Sequence, residues 1–247
     1  MKCVILAAGY ATRLYPLTEN FPKPLLKVKD KTIMDWLVDD ITVSNLVDEF
    51  IIISNHKYIK SFEKWIEEKK CSIKITLLDD GTTSNENRKG AVADIQFAFD
   101  SLNINDDLMV IAGDIVLDFS LNKFINYFNE KKATCIMRYY EKNIEKLKKS
   151  ATVKIDEEDV VTKMIEKPEN PDSNWCSPAF YIYKKEDVKK VKEALDAGCS
   201  KDAPGSFVAW LYDKSLVYAM EMPGKRYDIG TLESFEQVNK EYNGIIK

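Results

Sequence analysis

The stretch LAAGYATRLYPLTENFPKPLLKV, residues 6–28, overlaps the end of an apolar run rich in β-formers, KCVILAA at 2–8, that stops at Gly9. This reads as a buried strand running into a loop. A parallel α/β sheet places its ligands at the carboxyl ends of its strands, which is where such a loop lies. Gly9 and Ala11 let a ligand approach the backbone closely, and Arg13 and Lys23 put two cations on the same loop. Those are the requirements of an anion cradle. The loop is not a dinucleotide fingerprint, because Ala11 and Leu14 stand where the second and third glycines belong. Nor is it a P-loop, having no Gly-Lys-Ser/Thr.

Working outward, Thr32 caps a predicted helix to about Leu46, and FIIIS at 50–54 is the next strand. A helix over 58–69, a strand over 73–78, a helix over 90–102, a strand over 108–112 and a helix over 121–131 continue the alternation. Such alternation predicts a mostly parallel sheet flanked by helices. The rhythm changes near residue 133, where CIMRYY, ATVKI and VVTKMI are short β-like segments. DEEDV between the last two predicts a hairpin, and hence a small antiparallel extension. A helix over 185–197, a segment near 206–213, a strand over 216–221 and a helix over 231–242 complete the pattern. No linker or repeat interrupts it, so one domain is expected, with lobes at about 1–130 and 131–247.

The composition is that of an ordinary globular protein, at 247 residues, 45% hydrophobic and 31% charged. The 36 basic and 40 acidic residues give a net charge of −4 with no long block of one sign, which argues against a nucleic-acid or anionic-membrane partner. There is one histidine, His56, and only four arginines, Arg13, Arg88, Arg138 and Arg226. A histidine-based mechanism is nearly excluded. The five cysteines are scattered and form no Cys-x-x-Cys pair, so a reducing cytoplasm is expected rather than disulfides or zinc. The N-terminal apolar run is too short for a secretion signal, and nowhere do about 18 apolar residues run together.

The full string at 6–28 resembles the signature of the sugar-phosphate nucleotidyltransferases, the NDP-sugar pyrophosphorylases. In that family a Gly-rich loop, an Arg, a Pro-Leu-Thr and a Pro-Lys-Pro follow the first strand; the usual second glycine is Ala11 here. Later stretches match in order: GD at 113–114 after LMVIA, EKP at 166–168, and YDIGTLESF at 227–235. The resemblance spans the catalytic core, lacks a C-terminal extension, and implies a Rossmann-like α/β fold.

It also implies a reaction. The phosphate of an acceptor attacks the α-phosphorus of a nucleoside triphosphate and releases pyrophosphate, which demands charge neutralisation more than proton abstraction. Ala8 and Gly9 would contact the nucleotide, Arg13 would hold the departing phosphates, and Lys23 would reach the α-phosphate. Asp114 and Asp228 would bind Mg²⁺, with Asp114 also on the nucleotide side. Glu166 and Lys167 would bind an acceptor hydroxyl and phosphate. Base recognition falls to LLDDGTTSNENRKGAVADI at 77–95, with Gly90 as a backbone contact. There Asp79 or Asp80 would accept the N3–H of uracil or thymine and repel the N3 lone pair of cytosine. Arg88 and Lys89 reach phosphate or are merely solvated.

Two stretches depart from the pattern. In KKSATV and SPAFYIY, Ala151 and Ala179 stand where sugar-binding members carry glycines, and their methyls would crowd a pyranose. Trp175 and Tyr181 either stack on a sugar or pack in the core. The leading expectation is a Mg²⁺-dependent enzyme joining UTP or dTTP to a hexose 1-phosphate. The alternatives are a cytidylyltransferase for a small acceptor such as phosphocholine, a non-catalytic nucleotide or sugar-phosphate sensor, and an unrelated binding module. Oligomeric state is not legible.

Overall fold

The computed structural model describes residues 1–246. Strand β1 (Lys2–Leu6) ends two residues short of the apolar run, because the Ala8 carbonyl leaves the ladder to accept a hydrogen bond from Asn55 Nδ2 at 2.9 Å. A short hairpin, β2 (Lys27–Val28) and β3 (Lys31–Thr32), leads into α1 (Ile33–Thr42). Thr32 caps that helix as predicted: its Oγ1 accepts from the Asp35 N–H at 2.9 Å, and the Asp35 carboxylate accepts from the Thr32 N–H at 3.1 Å. Next come β4 (Glu49–Ser54), α2 (Ile59–Glu68), β5 (Lys74–Asp79), α3 (Ala91–Leu102) and β6 (Leu108–Ala112). They are followed by β7 (Ile115–Leu117), α4 (Asn122–Lys131), β8 (Thr134–Tyr140) and a single turn, α5 (Ile144–Leu147).

The predicted hairpin is β9 (Ala151–Ile155) with β10 (Val161–Glu166), and β11 (Trp175–Ser177) and β12 (Phe180–Tyr183) come after it. The helix expected over 185–197 is two pieces, α6 (Lys185–Val188) and α7 (Val191–Asp196). Between them the Lys190 N–H closes a tighter turn onto the Asp187 carbonyl at 2.9 Å. The Asp187 carboxylate, meanwhile, accepts from Thr134 Oγ1 (2.6 Å), Ser215 Oγ (2.5 Å) and Lys190 Nζ (3.0 Å). Finally come α8 (Gly205–Leu211), β13 (Val217–Glu221), β14 (Arg226–Asp228) and α9 (Leu232–Glu241).

The chain divides into two units, each drawing on separated segments: 1–88, 112–123 and Pro223 onward in the first, 89–111 and 124–222 in the second. In the first unit β1, β4 and β5 are parallel neighbours, with Lys2 beside Glu49 and Glu49 beside Lys74. The central strand β4 is buried along its whole length, which accounts for the unbroken run FIII. Helices α1 and α2 bury one stripe each, Ile33, Met34, Leu37, Val38 and Ile41 on one, Phe62 and Trp65 on the other. In the second unit the strand order is β10-β9-β11-β8-β12-β6, all antiparallel neighbours, with β13 added parallel to β8. The α/β class, the parallel strands and their helices are thus as expected, and the antiparallel pairing expected after residue 133 also takes in β11, β12 and β6. Among the described residues no helix is long and apolar enough to cross a membrane.

Asp35 ties α1 to α2. Beyond the cap, its Oδ1 accepts from Trp65 Nε1 at 3.2 Å and from Lys69 Nζ at 2.8 Å. Burial pushes its carboxyl up, but the hydrogen bonds from Lys69 and Thr32 outweigh burial and hold it below the usual aspartate range. A depressed folded-state value contributes stability above the ordinary range that is lost as the pH falls through it. Asp35→Asn should therefore remove about 2 kcal/mol at neutral pH, roughly 4–8 °C in melting temperature for a chain of this size. Thermal unfolding at several pH values checks this: the deficit must shrink in acid, where the wild-type carboxyl is protonated too.

Candidate active site

In the first unit the loop after β1 is fastened from two sides. The Ala7 N–H donates to the Ile53 carbonyl at 2.9 Å, and buried Tyr10 donates its hydroxyl to Thr82 Oγ1 at 3.2 Å. Gly9 is exposed between these anchors, and a Cβ added there would meet nothing within 4 Å, so the backbone faces open space at that point. Ala11 is left-handed at φ 45°, a conformation that disfavours any residue with a Cβ by roughly 1–2 kcal/mol. The substitution noted in the sequence is therefore a matter of backbone conformation rather than of room.

Lys23 is 6% exposed in a tight turn bracketed by Pro22 and Pro24, and its Nζ donates to Asp114 Oδ2 at 2.7 Å. It is no solvated surface cation. Asp114 sits in the turn between β6 and β7, immediately after Gly113, where a Cβ would lie 2.9 Å from Ile5 Cγ2 and 3.2 Å from the Leu6 carbonyl. The Gly-Asp pair thus follows from the close approach of this turn to β1. Strand β14 pairs antiparallel with β7 so that Asp228 faces Ile115, the residue after Asp114. Asp228 is exposed, and its carboxylate makes no hydrogen bond or ion pair among the described residues. Arg13, also exposed and unpaired, brings Nη2 to 3.9 Å from where a Cβ on Gly230 would lie. Arg13, Lys23, Asp114 and the YDIG segment are in this way linked within one unit.

The base-side aspartates separate. Asp79 is committed to protein: its Oδ2 lies 2.6 Å from Nδ1 of His56, and its Oδ1 accepts from the Gly81 N–H at 2.8 Å. Asp80 is 3% exposed; Oδ1 accepts from the Thr82 N–H and Oγ1, both at 2.7 Å, while buried Oδ2 has no partner. A buried carboxylate oxygen without a donor is unusual enough to need an explanation. Arg88 donates to Asn85 Oδ1 at 3.1 Å.

In the second unit Lys89 lies over the Phe97 ring at 4.2 Å. Gly90 has φ +98°, and a Cβ there would come within 2.5 Å of the Lys201 carbonyl. The first amides of α3 are bonded by protein, Ala91 N–H to Asp202 O (3.1 Å) and Val92 N–H to Lys201 O (2.9 Å). Packing alone thus requires glycine at 90. Glu166 ends β10 opposite Ala151, and Lys167 follows, exposed and left-handed at φ 47°. The half-buried Glu166 carboxylate makes no hydrogen bond or ion pair among the described residues. Burial pushes its carboxyl up; Lys167 lowers it and Asp202 raises it further. Ala151 is only 3% exposed. Tyr181 is 1% exposed, and the Trp175 ring is flanked by the Arg138 guanidinium at 4.9 Å and by Tyr140 at 5.4 Å. Both aromatics therefore pack against protein.

Tyr10, Asn55 and Thr82, which hold the loop after β1, carried no signal in the sequence; only their spatial neighbours identify them. Among the described residues no three His, Cys, Asp or Glu side chains are grouped to hold a metal.

Parallel strands with an open loop at the carboxyl end of β1 and a buried lysine paired with Asp114 mark the first unit, and an antiparallel extension with an unpaired carboxylate marks the second; together the elements are those of an α/β protein. The chain belongs to the nucleotidyl transferase family, whose model matches residues 2–244. It is 26% identical over 240 residues to a protein named bifunctional protein GlmU from Methanocaldococcus jannaschii, covering 97% of this chain and 54% of that protein. It is 27% identical over 256 residues to a glucose-1-phosphate adenylyltransferase from Fervidobacterium nodosum, covering 96% of this chain and 60% of the other. The chain thus spans between half and two thirds of the length of these curated relatives. Its fold matches a crystal structure of UDP-glucose pyrophosphorylase complexed with UDP-glucose at a TM-score of 0.80, with 21% identity and 97% of each chain covered.

Glu166 gives this site a stability signature. A carboxyl raised by folding binds its proton more tightly in the folded state, so the folded state loses stability as pH rises through the ordinary and then the raised value. Glu166→Gln should leave the protein as stable or more stable at pH 7, by up to about 1 kcal/mol or roughly 2–4 °C. The gain must fade in acid; a melting temperature that falls on substitution at pH 7 would show that the carboxylate has a protein partner.

Proposed function

We propose that the chain is a sugar-1-phosphate nucleotidyltransferase, carried by one domain over 1–247, that couples UTP or dTTP to a hexose 1-phosphate with release of pyrophosphate. The observation that carries the reading is the buried Lys23 ammonium, held 2.7 Å from Asp114 on the loop that follows β1. A phosphate-transfer site needs an oriented cation there, and a surface lysine would not be buried.

An acceptor phosphate oxygen forms a bond to the α-phosphorus as the bond from that phosphorus to the pyrophosphate oxygen breaks. The acceptor phosphate, with a second pKa near ~6, arrives largely as the dianion, so no base is required. Lys23 neutralises charge on the α-phosphate, Arg13 holds the leaving pyrophosphate, and the Ala8–Gly9 backbone borders the nucleotide. Asp114 and Asp228, two oxygen donors on neighbouring register positions with Asp228 free of protein partners, fit Mg²⁺. That ion is held by one or two carboxylates together with phosphate oxygens and water. Bound there, it would neutralise phosphate charge as a Lewis acid. In the second unit Glu166 accepts from an acceptor hydroxyl and Lys167 binds the acceptor phosphate.

For the base, the partnerless Asp80 Oδ2 supports a pyrimidine or purine edge that offers an N–H donor, as uracil and thymine do at N3. Gly90 borders the same base-side segment. For the acceptor, Ala151 is buried, so its methyl does not narrow an open surface, while Ala179, the other departure that favoured a small choline-like acceptor, is half-exposed. A cytoplasmic setting belongs to the same reading, supported by five free thiols.

Pyrophosphate release measured for each of five triphosphates with a panel of phosphorylated acceptors, with and without Mg²⁺, tests the proposal. UTP or dTTP with a hexose 1-phosphate should dominate, and no release from any pair would overturn the enzyme reading. Asp228→Asn is the clean variant, because Asp228 has no protein partner to strand. It should lower kcat by about 10²-fold or more with an unchanged melting temperature. Activity within threefold of wild type removes Asp228 from the ion site.

A further inference from the structure

Gly205 opens α8 and is buried, yet its backbone does not require glycine, since its φ lies outside the left-handed region. Glycine in a helix is less favourable than alanine by about 0.5–1 kcal/mol. A different reason must hold it there, and the neighbours supply one. A Cβ at 205 would collide with Glu166 Oε2, approach the Ala151 Cβ at 3.1 Å and reach Met164 Cε at 3.4 Å. The Glu166 carboxylate therefore lies directly over the Cα of Gly205.

The backbone at 205 is not free to withdraw. Three and four residues upstream the chain is bonded to the first turn of α3, the Ala91 N–H donating to Asp202 O and the Val92 N–H to Lys201 O. Downstream, Phe207, Val208 and Leu211 are fully buried, and the Phe207 ring packs 5.1 Å from that of Tyr183. A methyl at 205 must displace the carboxylate, because Glu166 has no hydrogen bond among the described residues to resist it. No hydrogen bond fixes its position, which is bounded by the strand β10, the Ala151 methyl and the bare Cα of Gly205.

We propose that Gly205 is a positioning residue for acceptor binding: its missing side chain is the seat in which the Glu166 carboxylate waits, unpaired, for an acceptor hydroxyl. This rests on the reading of Glu166 as the acceptor carboxylate. The segment from Lys201 to Gly205 then acts as one rigid brace between the start of α3 and the acceptor group.

The test uses Gly205→Ala in the full chain. With the preferred triphosphate and Mg²⁺, the acceptor KM should rise at least tenfold while the triphosphate KM stays within twofold and the melting temperature within about 3 °C. Replacing Glu166 by aspartate, which retracts the carboxylate by one methylene, should remove most of that effect and leave only the 3.1 Å approach to the Ala151 Cβ, so the two changes are strongly non-additive. An unchanged acceptor KM, or a parallel loss in every kinetic constant and in stability, overturns the proposal. Should Gly205→Ala fail to fold, Glu166→Asp with Gly205→Ala must fold; if it does not, the collision with Glu166 is not the reason for the glycine. A readout independent of turnover separates this proposal from its parent. The Glu166 carboxyl resonance, followed by NMR against pH, should titrate at a different value in Gly205→Ala, and an unmoved titration overturns the seat even in a protein that releases no pyrophosphate.

Discussion

Lys23 is a full positive charge with almost no water around it, and Asp114 at 2.7 Å is the partner that makes this tolerable. Losing one member of such a pair is strongly destabilising when both are buried, and less so here because the Asp114 side chain keeps 42% of its surface exposed. Much of the first unit follows from satisfying that ammonium. The two prolines around Lys23 fix the turn that presents it, and Gly113 brings Asp114 close enough by letting its turn lie against Ile5 and Leu6. In the proposed reaction this pair is preorganised. An incoming phosphate would exchange one oxyanion for another on a cation already largely buried, so little reorganisation would accompany the chemical step.

Glycine is used for three separate reasons in the two units. At Gly9 the backbone borders open space, at Gly90 a left-handed φ coincides with a carbonyl 2.5 Å from where a Cβ would stand, and at Gly205 a carboxylate takes the place of the side chain. A sequence motif records all three as the same letter. Only the first speaks directly of a ligand approaching the backbone; the second is a packing constraint, and the third acts through another residue. Conversely, Ala11 shows that a left-handed position can be filled without glycine where the surrounding turn, with Thr18 Oγ1 bonded to the Ala11 carbonyl at 2.8 Å, holds the strained conformation.

What the sequence made legible was local. Helix α1 was readable because a cap and an apolar stripe coincide in one short window, and β4 because a central parallel strand is apolar on both faces. The break between α6 and α7 was not, since it depends on Asp187 meeting Thr134 and Ser215, residues 53 and 28 positions away. The same limit governed the site. Lys23, Asp114 and Asp228 were named as candidates from motifs, but Asp79 and Asp80 were indistinguishable until His56 engaged one of them. Trp175 could not be assigned without Arg138 and Tyr140 beside it. Gly205 carried no signal at all, because its partner lies 39 positions earlier, at the end of strand β10.

The distinction that organises these residues is whether the protein itself uses their charge. Asp79 and Lys89 each have a protein partner, and their electrostatic role is complete without a ligand. The side chains of Arg13, Asp228 and Glu166 have no hydrogen bond or ion pair among the described residues, and Asp80 keeps one buried oxygen without a donor. An unpaired charge on an open surface is ordinary; a half-buried carboxylate and a buried oxygen left unpaired reduce stability and need a compensating role. Ligand binding is such a role. In the proposed reaction one histidine suffices: its imidazole is engaged by Asp79, and a nucleophile that arrives ionised would ask the protein for cations and oxygen donors in fixed places rather than for a base.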